Sequence, residues 1–360
     1  MEVKVNTKQL KEIIKNCSFG NTLPILTNFL LKAEDGKLTV YGTDLEVYTT
    51  FTIPAVVKKD GVILINHKKL SNIIKTLKDK DKEITIKTEN DFIFINNVKI
   101  KIDFEPDDFP LPESYPSDLA VSISGKELLK GITKTMYAST KDISRFALDG
   151  VCFSFTSDKL DFVATDGHRL ALYSTEIDGK GLEGKYVIPT KTIKLLKNVI
   201  KPVYDNIEFV FNNKYAFFKV DNTVIQTKLL EGVFPDYKQV IPDKFNLEIK
   251  LDRYFFTNLI NEFISLIPEK DKPIFLHITN NQLTITYNSD DVFIERVYSL
   301  NESYPDFKIK FNAKYIYEAV NVIEDRYFIM KFVNKDSQTV IIPENPEEKY
   351  LAVVMPMTME

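Results

Sequence analysis

One pattern of strand and turn recurs along this chain with a fixed period, and that recurrence limits its folding more than any other feature. Leu38-Thr39-Val40-Tyr41-Gly42-Thr43-Asp44 reads as a strand running into a turn, and Leu160-Asp161-Phe162-Val163-Ala164-Thr165-Asp166 has the same shape 122 residues later. Leu283-Thr284-Ile285-Thr286-Tyr287-Asn288 follows after a further 123. A second marker keeps the same spacing: Ile65-Asn66-His67-Lys68-Lys69-Leu70, then Ile188-Pro189-Thr190-Lys191-Thr192-Ile193, then Phe311-Asn312-Ala313-Lys314-Tyr315-Ile316. Solenoid units run to about 20–50 residues, so this period is too long for one. It matches a whole domain of about 100–150 residues. The 360 residues are therefore expected to form three copies of one domain, over 1–118, 119–245 and 246–360. The joins fall at Pro- and Asp-rich breaks around 105–112 and 232–242, with no low-complexity linker, so the copies are expected to be held rigidly.

Each copy carries two segments of helical periodicity. Leu10, Ile13, Ile14 and Cys17 share one face, as do Leu70, Ile73, Ile74 and Leu77 after an Asn66 cap. Leu128, Leu129, Ile132 and Met136 mark a third helix after Ser124. Ile193, Leu196 and Ile200 mark a fourth, with Thr190 as its cap and Pro202 as its stop. Phe255, Phe256, Leu259, Ile260 and Phe263 mark the fifth, and Ile316, Ala319, Val320 and Ile323 the sixth. Nearly everything else alternates with period 2, as in Glu83-Ile84-Thr85-Ile86-Lys87-Thr88. The expected class is α+β, with two helices per copy on one face of antiparallel sheets.

The net charge of −4 hides a strong asymmetry. The six helical segments together carry +11, so the rest of the chain carries −15. The basic residues also form stripes away from the apolar faces: Lys8, Lys11 and Lys15; Lys126, Lys130 and Lys134; Lys194, Lys197 and Lys201. A surface helix ordinarily mixes signs in i,i+4 pairs. Four predominantly basic outer faces in an acidic protein point to a polyanion met by helices, without base-reading chemistry. No aromatic residues interleave with the lysines, which argues against a single-strand binder.

Other classes fare worse. No apolar run approaches the ~20 residues of a membrane span. The start, Met1-Glu2-Val3-Lys4-Val5, alternates like a strand and lacks a signal-peptide core, so a cytoplasmic location is expected. Cys17 and Cys152 have no metal-type spacing and read as buried small hydrophobes. Asp166, His168 and Arg169 could be an acid–base set, but the chain holds only two further histidines and no nucleophile elbow. The Thr-Asp that ends the repeated strand reads better as a turn in which Asp caps local N–H groups. A near-match to a phosphate loop ending at Gly184-Lys185 fails because Tyr186 stands where Ser or Thr should bind magnesium. Neither a catalytic residue, a metal nor a cofactor is expected. The terminal Leu351-Ala352-Val353-Val354-Met355-Pro356-Met357 is either a last core strand or part of an adaptable binding surface.

At these residues the chain resembles a known family, the bacterial β sliding clamps, which are processivity subunits of the replicative DNA polymerase III. The resemblance rests on Leu23-Pro24-Ile25-Leu26, Gly42-Thr43-Asp44-Leu45-Glu46, Ala164-Thr165-Asp166-Gly167-His168-Arg169-Leu170-Ala171, Phe234-Pro235-Asp236-Tyr237 and Val354-Met355-Pro356-Met357. It implies three clamp domains per chain and a head-to-tail homodimer closing a six-domain ring around double-stranded DNA, independent of sequence. It implies as partners the replicative polymerase, the clamp loader and other proteins bearing a clamp-binding motif.

The family's partner-peptide groove, carried over residue by residue, comprises Leu148, Thr165, Gly167, His168, Arg169, Leu170, Pro235, Val240, Asn312, Tyr315, Val340, Val353, Met355, Pro356 and Met357. DNA-facing positions would be the three lysine stripes together with Lys75, Lys78 and Arg145. Phe109, Leu111, Ile264 and Leu266 are candidates for the subunit join. The competing reading is a monomeric three-domain protein-binding scaffold that encircles nothing.

Overall fold

The computed structural model describes residues 1–77, 82–117, 120–140, 147–178 and 182–358. All six expected helices are present: α1 (Thr7–Asn16), α2 (His67–Thr76), α3 (Gly125–Thr135), α4 (Thr190–Val199), α5 (Arg253–Leu266) and α6 (Ala313–Asn321). Their starts follow from capping. Asn6, Asn66, Asp252 and Asn312 each accept a hydrogen bond from backbone N–H groups of the first turn. Thr190 differs from expectation, being the first helical residue of α4 rather than its cap. In α3, Gly131 lets the helix approach the sheet closely, since a Cβ there would lie 2.4 Å from the Phe162 ring.

The chain forms two compact units. Unit 1 comprises residues 1–126 and 194–229, and unit 2 comprises 127–193 and 230–360. The second repeat thus contributes to both. In unit 1 an eight-stranded sheet runs in the order Val121–Ile123, Ile207–Phe211, Tyr215–Val220, Thr223–Lys228, Val47–Pro54, Lys37–Thr43, Asn28–Glu34, Gly61–Asn66. A five-stranded sheet runs Val56–Lys59, Glu2–Asn6, Glu83–Glu89, Phe92–Ile95, Val98–Lys101. Unit 2 repeats the eight-stranded plan as Gly184–Pro189, Gly150–Thr156, Lys159–Thr165, Arg169–Glu176, Tyr350–Val354, Thr339–Pro343, Tyr327–Phe332, Leu247–Asp252. Its second sheet is the long hairpin Pro273–Asn288 with Phe293–Asn312.

Each eight-stranded sheet contains a seam where strands of successive repeats pair antiparallel. In unit 1 Thr223 lies opposite Phe51 and Thr227 opposite Val47. In unit 2 Tyr350 lies opposite Tyr173 and Val354 opposite Arg169. Main-chain hydrogen bonding therefore joins repeat to repeat. The third repeat's counterpart of those edges begins at Phe293, and within the described residues its strand pairs only with Pro273–Asn288.

The cores sit where the periodicity placed them. Leu10 and Ile13 of α1 and Leu70 and Ile74 of α2 pack with Phe29, Leu31, Val40, Ile84 and Ile86. Each such side chain contributes about 1.5–3 kcal/mol on burial. In unit 2 the Phe256 ring of α5 packs on Phe328 at 5.2 Å. Cys17 and Cys152 are buried free thiols, and burial pushes the pKa of each up to about 12.

Candidate functional site

The stretch from Thr165 to Leu170 is a tight hairpin turn built by its own side chains. Asp166 Oδ1 accepts from the backbone N–H of His168 (2.9 Å) and of Arg169 (3.1 Å). Thr165 Oγ1 accepts from Gly167 N (3.1 Å) and donates to Arg169 O (2.7 Å). Gly167 takes φ +88°, which glycine adopts without strain. The first repeat builds the same turn: Asp44 Oδ1 accepts from Glu46 N (3.2 Å) and Val47 N (2.9 Å), and Thr43 Oγ1 from Leu45 N (2.9 Å). There Leu45 holds φ +75°, at a cost of about 1–2 kcal/mol. Asp166 is thus a turn former, as its spacing suggested.

That turn sits over an apolar floor within unit 2. Leu170, Val340 and Val353 are buried in one cluster with Cys152, Val163, Phe234 and Tyr237, and half-buried Leu148 packs against it. The last strand ends at Val354, so the two readings of the terminus divide there. Beyond it the tail is fastened on two sides: Met355 N donates to His168 O (2.9 Å) and Met357 N to Lys310 O (2.8 Å). Pro356, which has no N–H, falls between the two anchored amides. Met355 remains 40 % exposed. Tyr315 of α6 is half-buried, and its ring lies 6.5 Å from that of His168 at 22°. Asn312 is buried as the α6 cap, its Oδ1 accepting from Lys314 N (3.0 Å). Pro235 and Val240 are exposed in the segment that carries Phe234 and Tyr237, and Gln338 Nε2 donates to Val240 O (3.2 Å).

Arg169 does not behave as an open rim residue. Only 8 % of its side chain is exposed. Nε donates to Asp166 Oδ2 (3.1 Å), Nη2 to Tyr137 O (2.7 Å), and Nη1 to Glu318 of α6. The guanidinium lies 4.4 Å from the Tyr315 ring centroid. Burial disfavours its charge, but Glu318 and Asp166 outweigh that and hold its pKa above the ordinary arginine value. It fastens the turn to α6 and leaves His168 and Tyr315 on the exposed side. Sequence reasoning did not single out Tyr137, Glu318 or Lys310. Glu318 was within reach, since Tyr315 and Glu318 are three apart on one helix face.

The lysine stripes are only partly open. Lys8, Lys15, Lys75, Lys126, Lys194 and Lys197 are exposed. Lys11 Nζ donates to Leu77 O (3.2 Å), Lys130 is 3.5 Å from Glu127, and exposed Lys201 is 3.3 Å from Glu12. Lys134 departs from the expected stripe. Its side chain is 2 % exposed, paired with Glu348, 3.3 Å from Glu324 and donating to Val322 O (3.1 Å). A lysine so enclosed cannot reach a phosphate. Lys78 and Arg145 lie outside the described residues, as do part of the phosphate-loop near-match and Met359-Glu360.

Of the candidates for the join, Phe109 is buried against Leu30 and Leu64 of its own unit. Leu111 and Leu266 are exposed and Ile264 is half-buried. Among the described residues no group of three His, Cys, Asp or Glu could hold a metal, and no helix is long and apolar enough to cross a membrane.

Three family profiles match the chain in succession: the DNA polymerase III beta subunit N-terminal domain over 2–115, central domain over 122–236 and C-terminal domain over 238–358. The beta sliding clamp of Haemophilus influenzae is 27 % identical over 362 residues, covering 98 % of this chain and 97 % of that protein. That of Staphylococcus aureus is 26 % identical, covering 93 % and 95 %. The crystal structure of a DnaN sliding clamp from Pseudomonas aeruginosa bound to griselimycin is 25 % identical, with TM-score 0.92 and full coverage of both chains. The Bacillus subtilis clamp shares the fold at TM-score 0.92 with 21 % identity, again over the whole of both chains.

Proposed function

Because the chain belongs to the DNA polymerase III β-subunit family, and so is a sliding-clamp processivity factor, we propose that two copies close head to tail around duplex DNA and act by topology, without catalysis. The three clamp domains span 1–118, 119–245 and 246–360. The exposed lysines of α1 to α4 face the phosphates, and their weak, screened attraction permits sliding. The groove over Leu170, Val340 and Val353 takes a short apolar segment of the polymerase, the clamp loader or another partner.

The observation that carries the ring is the repeated seam. The strand after each Thr-Asp turn pairs with the last strand of the following repeat, in unit 1 and again in unit 2. The third repeat keeps the counterpart edge from Phe293, paired among the described residues only with Pro273–Asn288, and the first repeat keeps a last strand, Val98–Lys101, at the end of its sheet. Such edges invite pairing with another chain. Phe293 and Val297 are 65 % and 51 % exposed, and Val98 is 43 % exposed.

The register of the join follows from the internal seams. The hairpins align as Leu38 opposite Ile53, Leu160 opposite Thr175 and Leu283 opposite Tyr298. The turns before Val98 and Thr223 align through Asn96 and Asp221, both at positive φ. The unit 1 pair Thr223–Phe51 therefore becomes Val98 of one copy opposite Arg296 of the other, and Lys99 meets Glu295 with opposite charge. This register is tested with cysteines. Lys99→Cys combined with Glu295→Cys should give a covalent dimer under mild oxidation, whereas Lys99→Cys with Tyr298→Cys should not. Equal cross-linking of both pairs rules the register out.

A further inference from the structure

We propose that the partner groove continues along the same paired strands into a second apolar pocket, which takes an apolar side chain flanking the partner's anchor. This deepens the groove reading above and rests on it. Strand alternation sends every second side chain to one face. On one strand the groove face carries Leu170, then Leu172, then Ser174. On the strand paired with it the face carries Val353, then Leu351, with Leu170 opposite Val353 and Leu172 opposite Leu351. On the third strand Val340 is followed two residues on by Ile342.

The first of each series is buried in the cluster with Phe234 and Tyr237. The second of each is half-buried, and all three pack against the same apolar cluster as the groove floor. They line a cavity of about 600 Å³, whose far end is formed by Ser174, Glu176 and the loop from Asn345 to Lys349. Singly exposed aliphatics need no explanation. Three of them converging in one concavity, continuous with a binding floor, form a subsite.

The dimensions fix the occupant. From Leu170 to Glu176 the strand rises about 20 Å. A segment anchored over Leu170 and Val353 reaches Leu172 and Leu351 with the second or third residue beyond its anchor. The far rim carries Lys349, 3.1 Å from Glu176, and Lys159, 3.0 Å from Asp161, so both of its lysines already face carboxylates. An uncharged apolar side chain suits that surface better than an ionic one. The occupant is therefore the flank of the same bound peptide and not a separate small molecule.

The test uses the full-length protein and synthetic peptides with a Leu-Phe anchor pair. One peptide is the anchor alone. Others are extended by four residues at either end, with leucine or glycine at the second and third added positions. Leucine at one end should tighten binding about five- to tenfold over glycine. Leu172→Glu should abolish that difference while holding the anchor-only affinity within about twofold. Equal affinity of leucine and glycine extensions at both ends overturns the proposal, and so does a gain that survives Leu172→Glu. The leucine–glycine comparison needs no variant, so it decides even if Leu172→Glu fails to fold. Failure of the anchor-only peptide to bind the wild type removes the groove itself, a result distinct from binding without any gain on extension.

Discussion

Replacing Arg169 with alanine should destabilise unit 2 by about 2–4 kcal/mol. The figure follows from what is left behind. Asp166, with 12 % of its side chain exposed, loses its cation, as does Glu318, with 27 % exposed. The Tyr137 carbonyl loses its donor. Breaking a buried ion pair costs about 3–5 kcal/mol, and the partial exposure of Glu318 lets water recover some of that. Loss of the guanidinium beside Tyr315 adds about 0.5–1 kcal/mol. The chain contains no tryptophan, so unfolding in urea is best followed by far-UV circular dichroism. Arg169→Lys should recover less than half the loss, because an ammonium cannot donate in three fixed directions at once. Combining Arg169→Ala with Glu318→Gln should give a double variant less destabilised than the sum, with a coupling of about 1–3 kcal/mol. Strict additivity, or a single-variant loss below about 0.5 kcal/mol, would show that the guanidinium does not fasten the turn to α6.

Four further outcomes are expected. Both thiols should resist iodoacetamide at pH 8 in the folded protein, since burial pushes each pKa up to about 12; intact mass should show alkylation only in denaturant. Lys134→Met should lower thermal stability and leave DNA binding intact, because Lys134 is enclosed by Glu348 and Glu324. Lys194→Glu with Lys197→Glu should do the reverse and flatten the salt dependence of DNA retention. Truncation before Met355 should weaken partner-peptide binding at least about tenfold, while sedimentation still reports a dimer.

The helices and seams were not equally legible in the sequence. Helix positions came from apolar spacing, and the start of α2 from its single capping residue Asn66, because both signals are local. The strand order was not legible. Nothing near Thr223 announces that it will pair with Phe51, since that contact depends on where two repeats meet. Pro305 lies inside the long strand Phe293–Asn312, where a strand open on one side tolerates a missing donor.

At the site, the turn around Asp166 was readable because Asp and Thr side chains bond their own backbone. The fate of Arg169 and Lys134 was not. Each is satisfied by a carboxylate far away in sequence, Glu318 and Glu348. Helix periodicity placed Lys134 on a basic stripe but could not show that another segment covers it.

The central claim is that two copies enclose duplex DNA and hold it by linkage. The direct measurement loads the protein, with a clamp loader and ATP, onto nicked circular DNA and follows its retention by gel filtration before and after one restriction cut. Retention on the circle and release within minutes of linearisation are the predicted result. Equal retention on circular and linear DNA, or no retention on either, would contradict the account.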